Sequence, residues 1–344
     1  MTSSINLAIF GLGRWGTHLL RNFLALPQAK VIAIVDPDPQ RLEQIRWLYS
    51  LPPTVRSYEK WEPAMALPDL DAVVIATPAS THYVLIKRAL EHRLHVLSEK
   101  PMTLDSSTSA ELCRLATTQQ RQLVVDHTYL FHPAVQQGQV LCQNQQLGTL
   151  RYAYATRTNL GPVRTDVDAF WDLAIHDLAI LNHWLGHLPT QVLAWGQAWL
   201  QPHATAQFPS GLRDTGWLRL TYPQNLEAML HISWLNPDKQ RRLALVGDQG
   251  TLILDEMTPN AMLALHPGSI GTAEQSFTPN PQPQQVIALD TVEPLAEMGR
   301  HFLTCALNNQ PSPISSGNMA LALVRLIEAT SQSAATGQPI RPIA

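Results

Sequence analysis

A stretch near the middle of the chain combines ionisable and apolar side chains in a helix-like order. It reads WDLAIHDLAI over residues 171–180 and contains Asp172 and His176. Because the two are four residues apart, they are neighbours on one face of a helix. A carboxylate beside an imidazole raises the affinity of the imidazole for a proton and fixes its orientation, as a general base near neutral pH requires. The pair therefore indicates proton-transfer chemistry.

Two other interpretations of this pair stay open from the sequence. A buried aspartate–histidine pair can be purely structural. Aspartate and histidine at this spacing can also bind a metal, and His183 would be the available further ligand. No convincing third ligand stands at matching spacing, so we predict no metal site.

We predict one helix over residues 171–185 that ends at Gly186. On this helix the aspartate–histidine pair and His183 share one narrow polar stripe, and apolar patches flank the stripe on both sides. Such a helix is suited to lining a cleft. Asp177 lies outside the stripe and is predicted to be structural or to contact the neighbouring domain.

A lysine directly follows an apolar, strand-like run in HVLSEKP at residues 95–101. Pro101 holds the backbone of Lys100 extended. A poorly solvated lysine at the end of a strand can lower the pKa of a substrate hydroxyl or share a proton with it. The alternative is a surface ion pair between Glu99 and Lys100.

The composition is that of a folded protein with a sizeable core. Of the 344 residues, 45% are hydrophobic and 15% are charged, and the formal net charge is −3. This balance gives no excess of positive charge with which to bind nucleic acid or an anionic membrane. The three cysteines are far apart and indicate free thiols, and neither a signal-peptide pattern nor a long apolar run is present. We therefore predict a cytoplasmic, two-domain protein without a nucleic-acid or membrane partner.

Apolar, strand-like runs alternate with helical patterns in the first third of the chain. The runs are INLAIF at 5–10, VIAIVD at 31–36, DAVVIAT at 71–77, HVLSE at 95–99 and QLVVD at 122–126. Continuous apolar runs between helices are typical of a parallel sheet that is covered on both faces. We predict an α/β fold that begins with a dinucleotide-binding Rossmann domain, a doubly wound parallel sheet, over residues 1–126.

From about residue 127 this alternation ends and strand-like segments joined by short turns follow. They predict an α+β domain over residues 127–344 with an open, mostly antiparallel sheet that binds substrate. The Pro- and Gln-rich TPNPQPQQ at 278–285 is predicted to be a loop. Alternation in AMLHISW puts four apolar side chains on one face, which we expect to be core, with an interface as the alternative: Ala228, Leu230, Ile232 and Trp234.

A glycine-rich turn follows the first predicted strand at once. Gly11, Gly13 and Gly16 form GxGxxG between this strand and a helix, and Asp36 ends the next strand. In this context the glycines permit a tight turn, a close approach to a pyrophosphate and close packing of helix on strand. The helix N-terminus offers unpaired N–H groups to the phosphates. We predict a dinucleotide site, with an ordinary turn as the alternative.

The acid at the end of the second strand decides which dinucleotide we predict. Asp36 can accept hydrogen bonds from the ribose hydroxyls, and its charge would repel a 2′-phosphate, so NAD is favoured over NADP.

After the strand at 71–77, Thr77 is expected to line the nicotinamide ribose, whereas Ser80 and Thr81 can be helix caps. A packing role is the alternative for His82, and a solvated position is the alternative for Arg14. The predicted cofactor-binding residues are Gly11, Gly13, Arg14, Trp15, Gly16, Asp36, Thr77, Pro78, His82, Glu99 and Lys100.

Together these motifs resemble the glucose–fructose oxidoreductase / inositol dehydrogenase / rhizopine-catabolism (Gfo/Idh/MocA) family. GxGxxG, an acid that ends the second strand, ATPxxxH and EKP occur in the family's order. HPAV…LGTLRYAYATRTN, RRLALVGDQGTLILDE and ATGQPI resemble its later segments, so the resemblance covers nearly the whole chain. It implies that the open sheet of the second domain makes subunit contacts, and hence a homodimer or homotetramer.

The resemblance also implies a function. The family's catalytic residues, the lysine of EKP and the aspartate and histidine of DxxxH, correspond to Lys100, Asp172 and His176. They imply an NAD(P)-dependent dehydrogenase that oxidises a ring hydroxyl of a sugar, cyclitol or nucleotide sugar by hydride transfer to nicotinamide. Two alternatives are an NAD-recycling glycoside hydrolase of the same fold and a non-catalytic NAD- or sugar-sensing regulator. The intact catalytic residues argue against the regulator.

Two stretches are candidates for substrate recognition. DHTYLF follows the last strand of the first domain, and TRTNLGPVRTDVDAFWD leads into the predicted catalytic helix. The arginines of the second stretch would suit a carboxylate or a diphosphate, with surface positions as the alternative. The helix lacks the glycine that many family members have two residues before His176, and so resembles a branch associated with nucleotide sugars. The predicted substrate-binding residues are Lys100, His127, Tyr129, Arg157, Asn159, Arg164, Asp172 and His176.

Overall fold

The computed structural model describes residues 4–273 and 276–342. The strands, in chain order, are β1 (Ile5–Phe10), β2 (Ala29–Val35), β3 (Arg56–Tyr58), β4 (Ala72–Ile75), β5 (His95–Glu99), β6 (Leu123–Asp126), β7 (Leu150–Leu160), β8 (Gln191–Gln197), β9 (Thr215–Thr221), β10 (Glu227–Ser233), β11 (Leu235–Gly247), β12 (Gly250–Asp255), β13 (Leu263–Ala273), β14 (Ser276–Pro281) and β15 (Gln285–Val286). The helices are α1 (Arg14–Ala25), α2 (Pro39–Leu48), α3 (Trp61–Met65), α4 (Ala79–Glu91), α5 (Ser106–Thr118), α6 (Pro133–Gln143), α7 (Ile175–Leu185), α8 (Pro294–Asn308) and α9 (Gly317–Thr336). Short helical turns cover Thr128–Phe131, Phe170–Ala174, Pro223–Asn225 and Pro259–Ala261.

The chain forms two compact units. Unit 1 runs to Phe131 and also includes Val292–Val324, and unit 2 comprises His132–Thr291 and continues from Arg325. This division differs from the single boundary between residues 126 and 127 that the sequence predicts. The division into a dinucleotide-binding and a substrate-binding domain is taken up below as a proposal.

Unit 1 contains a parallel sheet of six strands in the order β3-β2-β1-β4-β5-β6. Its central strands are covered on both faces, and Leu7, Ile9 and Val74 have no exposed surface. The strand order reverses between β1 and β4, and ligands bind at the carboxyl ends of the strands at such a switch point. The predicted doubly wound parallel sheet is confirmed.

A late segment of the chain completes unit 1. Phe302 of α8 packs edge-on against Phe23 of α1, with 6.4 Å between ring centroids. Beyond α8, the Ser315 hydroxyl donates to the Val125 carbonyl over 2.5 Å, and the Asn309 side chain accepts from Gln122 over 2.8 Å. These contacts join segments far apart in sequence, which is why the pattern of residues 292–324 did not reveal them.

Unit 2 contains a sheet of nine strands, with β14-β13-β12-β11-β7-β10-β9-β8 in order and β15 beside β13. Only the pair of β7 and β10 is parallel among the pairs of described strands in this sheet. The predicted open, mostly antiparallel sheet is therefore confirmed. Its predicted core face is also buried, at 0–1% exposed: Ala228, Leu230, Ile232 and Trp234.

The predicted loop over residues 278–285 is wrong for residues 278–281 and for Gln285, which belongs to β15. Residues 278–281 belong to β14, which pairs antiparallel with β13. Pro279 and Pro281 lack an N–H donor, but β14 is an edge strand, where proline is tolerated. Proline and glutamine content alone therefore did not distinguish an edge strand from a loop.

Among the described helices, none combines the length and the apolar character that a membrane crossing needs.

Candidate active site

The glycine-rich turn joins the end of β1 to α1 in unit 1. Gly11 has a φ of +84°, and a Cβ there would lie 2.6 Å from the Ala76 carbonyl oxygen. A Cβ at Gly16 would lie 1.8 Å from the Gly11 carbonyl oxygen. Both positions therefore require glycine. A Cβ at Gly13, in contrast, would meet no atom of the described residues within 4 Å.

The open space at Gly13 fits a dinucleotide. It lies directly before Arg14, the first residue of α1, where the N–H groups of the first turn have no partner within the helix and favour a phosphate. Arg14 and Trp15 are exposed, and Trp15 packs edge-on against His18 at 5.8 Å. The backbone of the turn can therefore hold a pyrophosphate, and Arg14 is available to neutralise the negative charge of the phosphates.

Asp36 at the end of β2 is tied to this turn. Its Oδ2 accepts from the Leu12 N–H over 2.7 Å, and its Oδ1 accepts from the Asp38 N–H over 3.0 Å. Arg41 forms an ion pair with it at 3.3 Å. The carboxylate is buried, whereas the Arg41 side chain is 44% exposed. Arg41 was not among the predicted site residues, although its position five residues after the acid, in the first turn of α2, was a usable signal.

The ATPASTH segment leaves β4 and begins α4. The hydroxyls of Thr77 and Thr81 are 2.7 Å apart, and Thr81 donates to the Pro78 carbonyl over 2.7 Å. His82 is buried, with its Nδ1 2.7 Å from the Pro101 carbonyl oxygen and its Nε2 2.9 Å from the Thr77 carbonyl oxygen. The ring thus links the turn after β4 to the turn after β5.

Lys100 follows β5 directly, and β6 ends beside it in register. Glu99 and Asp126 are partners in the parallel pair of β5 and β6, and the Lys100 N–H donates to the Glu99 carboxylate over 3.2 Å. Asp126 accepts from the Thr128 hydroxyl over 2.5 Å. Burial raises the pKa of Asp126 to about 6. Asp126 was not among the predicted site residues, although it is the last residue of a predicted strand.

His127 has no hydrogen-bond partner at either ring nitrogen among the described residues. Burial and the charge of Lys100 lower the pKa of its imidazole to about 3. A neutral imidazole with both nitrogens open can donate to one hydroxyl and accept from another. This environment supports the predicted contact with substrate. Tyr129, also predicted to bind substrate, is half-buried in the helical turn that follows.

The depressed pKa of His127 makes stability depend on pH. Its folded-state pKa of about 3 lies below the ordinary value of 6.5, so its contribution is complete above pH 6.5 and is lost as the pH falls toward 3. At about 1.4 kcal/mol per pKa unit, we expect a loss of about 3 kcal/mol between pH 6.5 and pH 4. Urea unfolding of His127→Asn should show a flatter pH dependence than the wild type. Equal slopes in the two proteins would contradict this.

In unit 2, the predicted helix of Asp172 and His176 begins with a π-helical turn. Phe170–Ala174 form this turn, and α7 begins at Ile175. The prediction of one α-helix from residue 171 is therefore wrong in its first turn, and the spacing of about 100° per residue does not apply across it. The end of the helix is confirmed, because Gly186 has a φ of +68° and its N–H bonds to the Asn182 carbonyl.

The turn starts on a buried aspartate that the sequence analysis missed. Asp168 accepts from the Phe170 and Trp171 N–H groups over 3.0 and 3.2 Å. Burial raises its pKa to about 6, and Arg213 lies 3.7 Å away. Aspartate two or three residues before a helical segment is a helix-start signal, which could have identified it.

Asp172 is held by two side chains of unit 2. Its Oδ1 accepts from Arg164 over 3.2 Å, and its Oδ2 accepts from the Trp234 indole over 3.3 Å. Arg164 also pairs with Asp166, at 2.8 and 2.5 Å. The structure therefore brings together two predicted site residues, Asp172 and Arg164. Trp234 was predicted only as core.

Arg157 has a different environment from the one predicted. Its side chain is 3% exposed and binds both carboxylate oxygens of Asp177, at 2.9 and 2.8 Å. Glu256 lies 3.4 Å from the same guanidinium. This geometry argues against a substrate-binding role for Arg157, because its donors point to buried carboxylates. Asp177 is correspondingly structural, one of the two roles predicted for it.

Asn159 also has protein partners at both ends of its amide. Its nitrogen donates to the Gly161 carbonyl over 2.7 Å, and its oxygen accepts from Arg241 over 2.5 Å. Asn159 is 8% exposed, and these two bonds fix the orientation of its amide. Its predicted contact with substrate stays a prediction.

His183, the remaining histidine of the predicted stripe, lies between two glutamines of α6. Its ring nitrogens are 3.5 Å from the Gln136 amide and 3.4 Å from the Gln139 amide. Burial lowers its pKa.

Over residues 4–273 and 276–342, no three histidine, cysteine or acidic side chains are arranged to hold a metal.

Two family models match the chain. Residues 5–127 match the oxidoreductase family described as having an NAD-binding Rossmann fold, and residues 135–253 match the GFO/IDH/MocA C-terminal domain. The two matches follow each other in the family's order and cover more than half of the chain.

Several proteins of known sequence are similar to it. A Bacillus subtilis protein named uncharacterized oxidoreductase YrbE is 25% identical over 99% of this chain and 97% of its own length. UDP-N-acetylglucosamine 3-dehydrogenase of Acidithiobacillus ferrooxidans is 29% identical over 55% of this chain and 57% of its own. The scyllo-inositol 2-dehydrogenase (NAD(+)) of Bacillus subtilis is 29% identical over 57% of this chain and 58% of its own.

Solved structures share the fold over nearly the whole chain. A putative oxidoreductase from Magnetospirillum magnetotacticum is 27% identical, with a TM-score of 0.77 over 95% of this chain and 99% of its own. GenD2 from gentamicin A biosynthesis, solved in complex with NAD, is 20% identical, with a TM-score of 0.82 over 100% of this chain and 98% of its own. At that identity the second likeness concerns the fold alone.

Proposed function

The chain belongs to the Gfo/Idh/MocA family of NAD-binding oxidoreductases, and from this premise we propose that it is a dehydrogenase of ring hydroxyl groups. Its substrate would be a sugar, a cyclitol or a nucleotide sugar. The observation that carries the proposal is the glycine turn at the switch point of the parallel sheet, where Gly13 leaves room for a pyrophosphate. The names of the relatives, which include a UDP-N-acetylglucosamine 3-dehydrogenase and a scyllo-inositol 2-dehydrogenase, support it.

NAD, when bound, supplies the acceptor for the hydride. We propose that Lys100, Asp172 and His176 perform the proton chemistry, as the family resemblance implies. His176 would take the hydroxyl proton as a general base, and the Lys100 ammonium would hold the same oxygen and stabilise its developing negative charge. Asp172 would favour the positive form of His176 and orient it. Its own carboxylate is fixed by Arg164 and Trp234, which supports a defined orientation.

The environment of Asp36 supports a preference for NAD over NADP. A 2′-phosphate on the adenosine ribose would meet a buried carboxylate that accepts from the Leu12 N–H. We expect Asp36→Asn to raise the ratio of kcat/KM with NADP to kcat/KM with NAD by about tenfold or more, equivalent to about 1.4 kcal/mol. Removal of the carboxylate also leaves Arg41 with Asp38 alone as its charged partner of the two, at 3.6 Å, so its guanidinium can turn toward the phosphate.

The matched control for this test is Glu43→Gln, which removes a carboxylate from an exposed position of the same helix. The ratio should not change in that variant. The measurement is reduced-nicotinamide absorbance over a range of both cofactors. A wild-type enzyme that prefers NADP, or an Asp36→Asn enzyme with an unchanged ratio, would refute the role of Asp36.

The proposed activity is tested with a panel of candidate substrates. The protein is incubated with NAD or NADP and with scyllo-inositol, myo-inositol, aldoses or UDP-N-acetylglucosamine, and NADH or NADPH is followed by absorbance. Reduction of the cofactor with one compound class identifies the substrate. Glycoside cleavage without net reduction would instead favour the NAD-recycling hydrolase.

We also propose that unit 1 binds the dinucleotide and that unit 2 binds the substrate.

A separate proposal concerns assembly: the open face of the nine-stranded sheet joins subunits into a homodimer or homotetramer. Trp195, which is 46% exposed, stacks on Trp217 at 6.1 Å, and Trp217 stacks on His231 at 4.8 Å. Exposed aromatic side chains on one sheet face support a protein contact. Light scattering tests this, and a monomer would refute it. The predicted cytoplasmic location stays a prediction.

A further inference from the structure

His82 is a buried histidine of unit 1 whose two ring nitrogens face the same kind of group. Its Nδ1 lies 2.7 Å from the Pro101 carbonyl oxygen, and its Nε2 lies 2.9 Å from the Thr77 carbonyl oxygen. The side chain is 1% exposed, so water does not compete freely for these contacts.

A carbonyl oxygen accepts hydrogen bonds and cannot donate them. A neutral imidazole has one N–H and one nitrogen lone pair, so it can satisfy only one of the two carbonyls. Its lone pair would then face the second oxygen within 3 Å, which is repulsive. The doubly protonated imidazolium donates to both oxygens, and such charge-assisted bonds are the stronger kind.

We propose that His82 is held as an imidazolium and acts as a positioning residue that fastens the turn of Thr77 to the turn of Lys100. Thr77 and Pro78 form the exit of β4, and Pro101 follows Lys100 at the exit of β5. Loss of either proton would release one of these turns. The functional part of this inference rests on the proposed roles of Lys100 and Thr77, whereas the protonation state does not.

The charged side chains nearest in sequence to the contacts of the ring lie at the end of β5, on the turn that follows it and on α4. The charged side chains of the two turns that it bridges are Glu99 and Lys100, and the Glu99 carboxylate accepts from the Lys100 N–H over 3.2 Å. On α4, the nearest charged residue in sequence is Lys87, which pairs with Glu111 at 2.7 Å.

His95 in the same unit is a natural reference. It is 8% exposed, and its Nδ1 accepts from the Gln122 N–H over 3.1 Å. Burial and the charge of Arg121 lower its pKa to about 4. His95 is therefore neutral at pH 7.5. The two buried histidines should differ in charge because one faces acceptors and the other faces a donor.

The protonation state is measured by nitrogen NMR on the full-length protein labelled with 15N-histidine, without substrate. At pH 7.5 we expect both nitrogens of His82 to have protonated-type shifts, and His95 to show one protonated and one unprotonated nitrogen. Signals are assigned by their loss in His82→Asn and in His95→Asn. An unprotonated nitrogen at His82 in the folded wild-type protein would overturn the proposal.

If His82→Asn does not fold, the wild-type spectrum alone decides. The proposal requires one buried histidine that keeps two slowly exchanging ring N–H groups at pH 7.5, and their absence would overturn it.

The functional consequence is read from the pH dependence of turnover. We expect wild-type kcat to fall at the alkaline pH at which His82 loses a proton in the NMR titration. This limb should disappear in His82→Asn, whose amide nitrogen cannot reach both carbonyls, and should remain in His95→Asn. An alkaline limb at that same pH that survives in folded His82→Asn would refute the positioning role. Failure of every substrate would refute the proposed function and leave the NMR result standing.

Discussion

Lys100→Met is expected to lower kcat by about 10²–10⁴-fold, the range for loss of a group that assists proton transfer, while NAD still binds. Methionine keeps the length and apolar stem of lysine and removes its charge. Lys100 follows β5 at the carboxyl edge of the sheet, half-buried, and its charge acts on Asp126 and His127. Initial rates with the best panel substrate, with NAD binding by calorimetry, test this expectation.

The control for this variant is Lys87→Met in the same unit. Lys87 pairs with Glu111 at 2.7 Å on the surface of α4 and α5, and such exposed pairs contribute about 0–1 kcal/mol to stability. Its kcat should match the wild type. A Lys100→Met enzyme that keeps more than about a tenth of wild-type kcat would contradict the assignment, since assistance by general acid–base groups exceeds that factor.

Asp177→Ala is expected to lower the free energy of unfolding of the protein by about 3–5 kcal/mol, the cost of leaving a buried charge without its partner. Arg157 is 3% exposed and would lose both of its bonds to Asp177, with Glu256 3.4 Å away. Because Asp177 lies on α7 and Arg157 on β7, this pair ties the helix of His176 to the central strands of its sheet. Urea unfolding measures the loss.

Two further variants separate this cause from a general effect of mutation. Glu227→Ala breaks the exposed pair of Arg219 and Glu227 in the same unit and should cost at most about 1 kcal/mol. Arg157→Met combined with Asp177→Leu removes both buried charges and should recover much of the loss. A double variant as unstable as Asp177→Ala would show that packing, and not charge, accounts for the effect.

Most of the fold follows from local patterns. The apolar runs in the first third correspond to β1, β2, β4, β5 and β6, because strands buried on both faces need continuous apolar sequence. The attachment of residues 292–324 to unit 1 depends on contacts such as Phe302 with Phe23. Those contacts join segments far apart in the chain, and local periodicity does not encode them.

Some residues of the candidate site could be predicted from the sequence, and the contacts of others could not. The positions of Gly11 and Gly16 followed from a motif that the backbone itself requires, and Lys100 followed from its place directly after a predicted strand. The pairing of Arg157 was not predictable, because an arginine in sequence carries no sign of its partner, and Asp177 lies 20 residues away. The π-helical turn before α7 was missed for a similar reason, since residues 170–174 read as ordinary helix.

The most direct test of the account follows the hydride itself. The panel substrate that reduces NAD, for example scyllo-inositol or UDP-N-acetylglucosamine, is supplied with deuterium on its ring carbons, and the nicotinamide product is analysed by mass spectrometry. The account predicts one deuterium in the NADH, an oxidised ring in the product, and neither of these with Lys100→Met. Deuterium that remains in the sugar product while the cofactor ends as NAD would contradict net oxidation.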